Sequence, residues 1–500
     1  MKNIKVIFGL IVAFFILSCE DAYKIDQPGR LTADAAFETV EDLEQGLTGV
    51  YNSLDVTPEI ALSAYFTDEV SIGFDNGGQI LDLYAFQLTP ASTAAANFWV
   101  RNYSVINAAN RIIEAGPLVE GDEADVNDII AQARAIRAFA HFELLTYYST
   151  DLTDNSAPGV YLVDFVPTID QTLSRSTNGE VFELISNDLE FAAENIESAD
   201  SRYFFSKNAV KALEARIAAF RGNYPKVKTL TQDLLSTYSL ADANTYFDMF
   251  VGDVEATRGE TIFALARTVG DSYDGQGATG SVAAGGWPGA RFAFGDPTID
   301  GSPYLEMDRG LYNEMAENNG VRLEVNLNET ATIDEDWPGP DYNTRDDKLV
   351  IGKYPGKSGQ PLMNDLQIFR AAEMHLLLAE AVAIEDGDFD RVAELIKELR
   401  DIRFVDGGNS PLPSYNNQEE ALTAILEERR LEFSYEGHRY RDLKRLGTLA
   451  NEGIDRADTD CNLYGGACEL PASDFRFTLP LPIVEFQANP DLREEQNPGY

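Results

Sequence analysis

Two distant stretches of this chain share one pattern, which limits how its helices can be joined. Residues 222–234 read Gly-Asn-Tyr-x-x-Val-x-x-Leu-x-x-x-Leu, and residues 387–399 read Gly-Asp-Phe-x-x-Val-x-x-Leu-x-x-x-Leu. In both copies an apolar helical run leads to the glycine, which can adopt the left-handed conformation that ends a helix. The aromatic residue then begins a second run. The pattern predicts two helical hairpins, although chance similarity between unrelated hairpins would look the same.

Helical periodicity also dominates the rest of the chain. Apolar residues recur at three- and four-residue steps over 129–144 and over 368–383. Thr177 and Glu180 form a capping-box pattern ahead of another such run. These observations predict a mostly α fold with tetratricopeptide-like helix pairs as its scaffold. Because the copies are not in tandem, long insertions must separate the pairs.

The longest irregular region lies between Val269 and Lys348. Nine glycines fall between Gly270 and Gly301, and Trp-Pro-Gly occurs twice, at 287–289 and 337–339. Irregular segments of this length are usually functional or disordered, and its aromatic residues favour order. We expect residues 19–500 to form a single domain in which 269–348, approximately, is a ligand-binding insertion.

The N-terminus has the features of a secretory signal. Lys2 and Lys5 precede an apolar run from Val6 to Leu17, which is too short for a permanent membrane-spanning helix. Residues 16–19, Ile-Leu-Ser-Cys, resemble a bacterial lipobox. We expect residues 1–18 to be removed and Cys19 to be lipidated, so that acyl chains anchor the protein. The alternative is an ordinary cleaved signal followed by an incidental cysteine.

Charge and cysteine content restrict the possible partners. The formal charge of −44 becomes −46 once residues 1–18, with two lysines and no acid, are removed. Such a chain is repelled by phosphate backbones, so we expect no nucleic acid partner.

Cys461 and Cys468 are close enough for a local disulfide in an oxidising compartment, with two free thiols as the alternative. No histidine lies at zinc-ligand spacing with a cysteine, so we predict neither a metal nor a cofactor.

Aromatic side chains in turns are the first candidates for ligand binding. Sugar rings stack their C–H faces on aromatic planes, while amide and carboxylate groups bind hydroxyls. Trp287 and Trp337 each lie in a turn that could hold an indole outward, with burial as the alternative. The polar segment from Asp75 to Tyr84, together with Tyr273, Asp341 and Tyr342, completes the set.

Several segments resemble one family. The C-terminal Phe-Thr-Leu-Pro-Leu-Pro-Ile at 477–483 and Gln-Asn-Pro-Gly-Tyr at 496–500 look like the ending of SusD/RagB-type lipoproteins. Residues 428–445, beginning Glu-Arg-Arg-Leu-Glu-Phe and containing Glu-Gly-His-Arg-Tyr, resemble the family's most distinctive internal stretch. Similar likenesses occur at 41–52, 133–148 and 370–381. The resemblance therefore covers nearly the whole mature chain.

The resemblance implies an outer-membrane lipoprotein of Bacteroidota that faces the cell exterior. Members form a lid on a SusC-like TonB-dependent transporter and capture oligosaccharides or peptides for import. It also suggests Trp99 and Asn102 as a sugar-stacking indole with a polar partner, although the helical spacing of Trp99 favours a core position. Within the family stretch, alternating arginines and acids indicate ion-pair networks, and His438 is read as a packing residue.

Catalytic motifs are not evident. The sequence has no Gly-x-Ser-x-Gly elbow and no His-Glu-x-x-His, and carboxylate pairs are uninformative among 83 acidic residues. We therefore expect a binding protein, not an enzyme, for a neutral glycan such as a β-glucan. The alternatives are a peptide-binding member of the same family, a surface glycoside hydrolase and a purely structural scaffold.

Overall fold

Helices joined by short turns make up most of the structure, which is a computed structural model. It describes residues 36–73, 76–168, 171–197, 201–271, 286–293, 303, 305–318, 320–405, 407–462 and 467–500. Within these ranges no helix is both long enough and apolar enough to cross a bilayer.

The helices are numbered here in chain order. Those of the N-terminal half are α1 Val40–Ser53, α2 Thr57–Phe66, α3 Leu81–Tyr84, α4 Thr93–Ala115, α5 Glu123–Tyr148, α6 Asn178–Asn195, α7 Lys207–Phe220, α8 Tyr224–Leu235 and α9 Ala243–Val251. Those of the C-terminal half are α10 Arg309–Glu317, α11 Val321–Asn326, α12 Ala371–Ala381, α13 Phe389–Ile402, α14 Gln418–Glu432, α15 Arg439–Asp442, α16 Thr448–Ala450, α17 Asp458–Cys461 and α18 Ile483–Ala488.

Short strands pair antiparallel in two-stranded ladders that connect distant parts of the chain. The strands are β1 Val70–Ile72, β2 Thr261–Leu265, β3 Leu305–Met307, β4 Gly356–Lys357, β5 Gln360–Pro361, β6 Leu366–Arg370, β7 Gly453–Asp455 and β8 Glu469–Pro471. The pairs are β1 with β3, β2 with β6, β4 with β5 and β7 with β8. The register of the first pair sets Val70 opposite Met307, so the N-terminal helices are tied to the C-terminal half.

The two repeated hairpins predicted from the sequence are confirmed. Gly222 and Gly387 have φ angles of 69° and 62°, which glycine adopts readily. In both copies the next residue caps the second helix: Asn223 accepts from the Lys226 N–H, and Asp388 accepts from the Arg391 N–H. Helices α8 and α12, one from each copy, pack against each other, so the copies form one scaffold.

Helix α5 is at the centre of this scaffold. Nearly all its residues from Val126 to Tyr148 are buried, because α1, α4 and α6 pack around it. Such all-round burial fits a helix whose apolar residues are not confined to one stripe. Near the other end of the chain, Cys461 and Cys468 form a disulfide with their Cα atoms 5.2 Å apart.

The family stretch at 428–445 contributes to a buried ion-pair cluster, which we call the Arg370 cluster. It contains Arg370, Arg403, Glu260, Glu432 and Glu436, all at most 8% exposed. Glu432 Oε1 accepts from Arg370 Nη1 at 2.9 Å and from Arg403 Nη2 at 2.8 Å. Burial alone would raise the pKa of Glu432, but the neighbouring guanidinium groups hold it well below its usual value. The cluster joins β6, α13 and α14.

A second buried cluster connects the same stretch to the N-terminal half. Asp68, just before β1, accepts from Arg439 Nε at 2.9 Å and Nη2 at 2.7 Å. Arg430 Nε lies 3.4 Å from Asp68 Oδ2. Burial opposes ionisation, but Arg430 and Arg439 outweigh it and lower the pKa of Asp68 to about 2. The predicted ion-pair networks of the family stretch are therefore present.

Replacing Glu432 with Gln should strongly destabilise the fold. The substitution leaves buried guanidinium groups without their shared carboxylate, a change that typically costs about 3–5 kcal/mol. Urea unfolding followed by circular dichroism would measure the free energy of unfolding. The control is Glu419→Gln on the exposed face of the same helix, for which we expect a loss below about 1 kcal/mol. Equal losses in the two variants would contradict the account.

Asp68 should contribute stability that depends on pH. Its pKa falls from 3.8 to about 2 on folding, which corresponds to about 2 kcal/mol of stabilisation above about pH 4. That contribution is lost as the pH falls towards about 2. The stability gap between wild type and Asp68→Asn should therefore be narrower at about pH 3 than at about pH 7. Asp390→Asn, at an exposed position, serves as control. A gap that widens in acid would refute this assignment.

Candidate functional site

Trp287, a leading candidate, does not project into solvent. It precedes the 3-10 turn Pro288–Arg291 and is only 7% exposed, packed with Ala290 and Met363. Its indole N–H donates to the Thr268 carbonyl at 3.2 Å. The expectation of an outward indole is corrected, because the turn folds the ring inward against apolar side chains and a backbone acceptor.

Trp337 and Tyr342 come together on one loop, next to α17. The half-buried indole of Trp337 donates from Nε1 to Thr459 Oγ1 at 3.0 Å, and Arg309 lies 5.3 Å from the ring centroid. The Tyr342 hydroxyl donates to Asp347 Oδ2 at 3.1 Å. Both rings are thus already engaged by protein groups.

Tyr342 also lines an open cavity of about 420 Å³. Three acidic side chains share this cavity, namely Glu306, Asp347 and Asp460. Asp341 is exposed on the same loop but does not line it. Arg345 lines it as well, Asp347 is paired with Arg309, and burial raises the pKa of Asp460, so the three acids do not act as three free charges.

The remaining candidates are buried or lie outside the described residues. Trp99 is 1% exposed, and Asn102 donates to the Phe98 carbonyl within its own helix at 2.9 Å. Tyr84 is fully buried beneath the Arg456 guanidinium, which lies 3.7 Å from the ring centroid. Trp99 therefore occupies the core position that its helical spacing favoured. Tyr273 and Cys19 lie outside the described residues.

The best candidate site is an open cavity of about 380 Å³, here called cavity A. It lies where α2, α3, the first turn of α4 and the turn Pro288–Arg291 meet. Its polar lining consists of Gln79, Asp82, Gln87, Thr89, Ser92, Thr93, Asn97 and Arg291, and its apolar lining includes Pro58, Leu62, Leu83 and Phe98. Gln79 and Asp82 belong to the polar segment that the sequence singled out, of which Asp75 lies outside the described residues, and Arg291 closely follows the Trp-Pro-Gly turn at 287–289.

The backbone at the rim of cavity A is strained. Ile80, which precedes α3, has φ of 56°, and Phe86 shortly after it has φ of 58°. A β-branched residue rarely adopts a positive φ, and such strain persists only where surrounding structure enforces it. Strained residues concentrate at ligand sites, so this conformation agrees with a binding role for the rim.

An ion-pair cluster centred on Asp55, the Asp55 cluster, adjoins cavity A through Arg291, which lines it. Asp55 Oδ1 accepts from the Thr57 N–H at 2.9 Å and from Arg267 Nη2 at 3.2 Å, and Oδ2 accepts from Arg101. Arg291 Nη2 donates to Thr57 Oγ1 at 2.8 Å. Burial would raise the pKa of Asp55, but Arg101, Arg267 and Arg291 outweigh it and lower that pKa. The Arg291 side chain is therefore held in the wall of cavity A by protein contacts.

Cavity A is suited to binding an uncharged, hydroxyl-rich molecule. Amide and hydroxyl groups lie around an apolar floor, an arrangement common to small-molecule sites. Among its described lining residues Asp82 is the one acid, whereas glycoside hydrolysis usually needs two carboxylates. Sequence reasoning missed Gln87, Asn97 and Arg291. Polar residues at the start of a helix, as at 92–97, were the available signal.

Comparisons with known proteins agree with this architecture. A model described as SusD family matches residues 270–500, and one described as starch-binding associating with outer membrane matches residues 26–218. SusD-like protein P2 of Formosa agariphila is 25% identical over the full length of both chains. SusD-like protein P38 of the same organism is 25% identical over 89% of this chain and 91% of its own.

Solved structures share the fold. A SusD superfamily protein from Bacteroides thetaiotaomicron superposes with a TM-score of 0.74 at 22% identity, covering 92% of this chain and all of its own. A laminarin binding SusD-like protein gives 0.66 at 20% identity, with 93% and 100% coverage. Because the two family models span both ends of the chain and the fold agrees over nearly its whole length, this protein belongs to the SusD/RagB family.

Proposed function

We propose that this protein is a cell-surface glycan-binding lipoprotein. It captures oligosaccharides, a neutral glycan such as a β-glucan being the favoured class, and delivers them to a SusC-like TonB-dependent transporter. Residues 1–18 are its signal peptide, Cys19 carries the lipid anchor, and 19–500 form one outward-facing domain at the outer membrane. The insertion at 269–348 helps to form the ligand site through Arg291.

The observation that carries the proposal is the lining of cavity A. Its amides and hydroxyls can exchange hydrogen bonds with sugar hydroxyls, and Arg291 is held in its wall by Thr57. The net charge of −44 favours a neutral ligand over a polyuronate. The family model described as starch-binding and the solved structure described as laminarin binding support the ligand class.

The peptide-binding, hydrolase and scaffold hypotheses predict different properties of cavity A. A peptide ligand would need groups that pair with backbone amides, which Gln79, Gln87 and Asn97 could also supply. Mass spectrometry of co-purified ligand separates peptide from glycan. A hydrolase would release reducing ends from a bound glycan, and a structural scaffold would bind neither. Asp82 is the one acid among the lining residues that the structure describes, which favours binding without cleavage.

Removing two amides from cavity A should weaken glycan binding. Each lost hydrogen bond is worth about 0.5–1.5 kcal/mol, so Gln79→Ala with Asn97→Ala should raise the Kd by about tenfold. Isothermal titration calorimetry against laminarin, starch oligosaccharides and alginate would measure it. We expect binding of a neutral glycan by the wild type, with no release of reducing ends.

The matched control is Gln232→Ala with Asn244→Ala. It also removes one glutamine and one asparagine side chain, but from exposed positions on α8 and α9. This control should bind like the wild type. If both double variants bind equally well, cavity A is not the site. If the wild type binds only alginate, the preference for neutral glycans is overturned.

Replacing Cys19 with Ala should release the protein from the membrane. The thiol is the atom that would carry the lipid, so the variant should be exported without acyl chains. Fractionation of cells grown with labelled fatty acid would show label in the wild type only, with the variant in the soluble fraction. Ser18→Ala, which keeps the thiol, should stay labelled. An unlabelled wild type would refute the anchor.

A further inference from the structure

A second open cavity, cavity B, lies next to cavity A along helix α4. Its volume is about 590 Å³, within the range of about 300–1,000 Å³ common for small-molecule sites. Side chains from α4, from the segment between Tyr161 and Leu173, and from α18 form its walls. None of the sequence candidates pointed to it except Trp99, which lies at its base.

Three aromatic rings form the inner surface of cavity B. The Trp99 ring lies 4.9 Å from that of Tyr103 and 5.1 Å from that of Tyr161, centroid to centroid. Tyr103 is only half-buried, and its hydroxyl donates to the Tyr161 carbonyl at 3.1 Å. The outer ring is thus held in place by the two beneath it, which keeps the entropic cost of stacking a ligand on it small.

Polar groups surround this aromatic surface. Asn107 and Gln171 contribute amides, and Glu485 contributes a half-buried carboxylate that accepts from the Tyr161 hydroxyl at 3.3 Å. A carboxylate in this position can accept hydrogen bonds from neighbouring sugar hydroxyls and would repel a uronate. In the described part of the chain, an aromatic surface flanked by amides and the Glu485 carboxylate matches the chemistry of a neutral sugar ring.

The two cavities share one face of α4. Asn97 lines cavity A, whereas Val100, Ser104 and Asn107 line cavity B. Steps of three and four residues place these side chains on one side of the helix, over about 15 Å. The Ile483 N–H donates to the Pro90 carbonyl at 2.8 Å. Pro90 lies in the chain between the cavity A residues Thr89 and Ala91, and Ile483 comes two residues before Glu485 of cavity B. The side chain of Ile483 is 41% exposed there.

We propose that cavity B is a second saccharide subsite, and that one oligosaccharide lies along the outer face of α4 from cavity A to cavity B. A sugar ring stacks on Tyr103, and the exposed apolar side chain of Ile483 contacts the sugars between the two cavities. This inference rests on the proposed function and adds to it a preference for chains long enough to fill both cavities.

Calorimetry with short and long laminarin oligosaccharides on the full mature protein tests the subsite. Tyr103→Ala should weaken binding of the long chains by about tenfold and leave the short ones unaffected. Ser104→Arg, at an exposed position on the rim, should do the same by filling the cavity without disturbing the aromatic rings. The Ser104→Arg variant tests the same prediction if Tyr103→Ala does not fold.

Ser236→Arg is the matched control, because Ser104 and Ser236 are both exposed serines that donate to a backbone carbonyl near a helix. It should bind like the wild type. If Ser104→Arg binds long chains as tightly as Ser236→Arg does, cavity B is not a subsite, while the proposed function stands on cavity A. If the wild type binds no neutral oligosaccharide, both proposals fail.

Discussion

Arg370, held among three buried carboxylates, is the contact on which the rest of the structure depends. Its guanidinium group bonds to Glu260, Glu432 and Glu436 with a side chain only 2% exposed. Removing charged groups from water costs several kcal/mol each, and only complete pairing offsets that cost. The strand β6 and helices α13 and α14 must therefore close together around it. This requirement ties the hairpin containing α12 and α13 to the family stretch.

The same principle shapes the ligand site. Around Asp55, three arginines converge from α4, from the end of β2 and from the turn before residue 292. Because the carboxylate is buried, these elements have to meet at one place, and Arg291 extends from this junction into the wall of cavity A. Binding then needs little rearrangement of Arg291, which lowers its entropic cost.

Local features of the fold were predictable from sequence, because they depend on neighbouring residues. Gly222 and Gly387 end their helices through backbone conformation alone. The networks of the family stretch could be anticipated from its alternating charges, although the partners Asp68 and Arg370 could not, since they lie far away in the chain. Sequence indicated that paired charges exist and left open which ones meet.

The site was less predictable, because exposure of a side chain is a tertiary property. Trp287 and Trp337 occupy similar Trp-Pro-Gly turns, yet one indole is buried beside Met363 and the other is half-buried against Thr459. The shared Trp-Pro-Gly motif does not distinguish these outcomes. The loop that ends at Gln79 was recognised as polar and irregular, whereas Asn97 resembled any amide at a helix start. Only the packing of α2 against α4 makes the two line one cavity.

A crystal structure of the protein with a bound neutral oligosaccharide tests the central claim most directly. The account predicts density for an intact sugar chain in cavity A, with the amides of Gln79 and Asn97 within hydrogen-bond distance of its hydroxyls. Sugar found instead beside Trp337 and Tyr342, or a chain cleaved within cavity A, would contradict it.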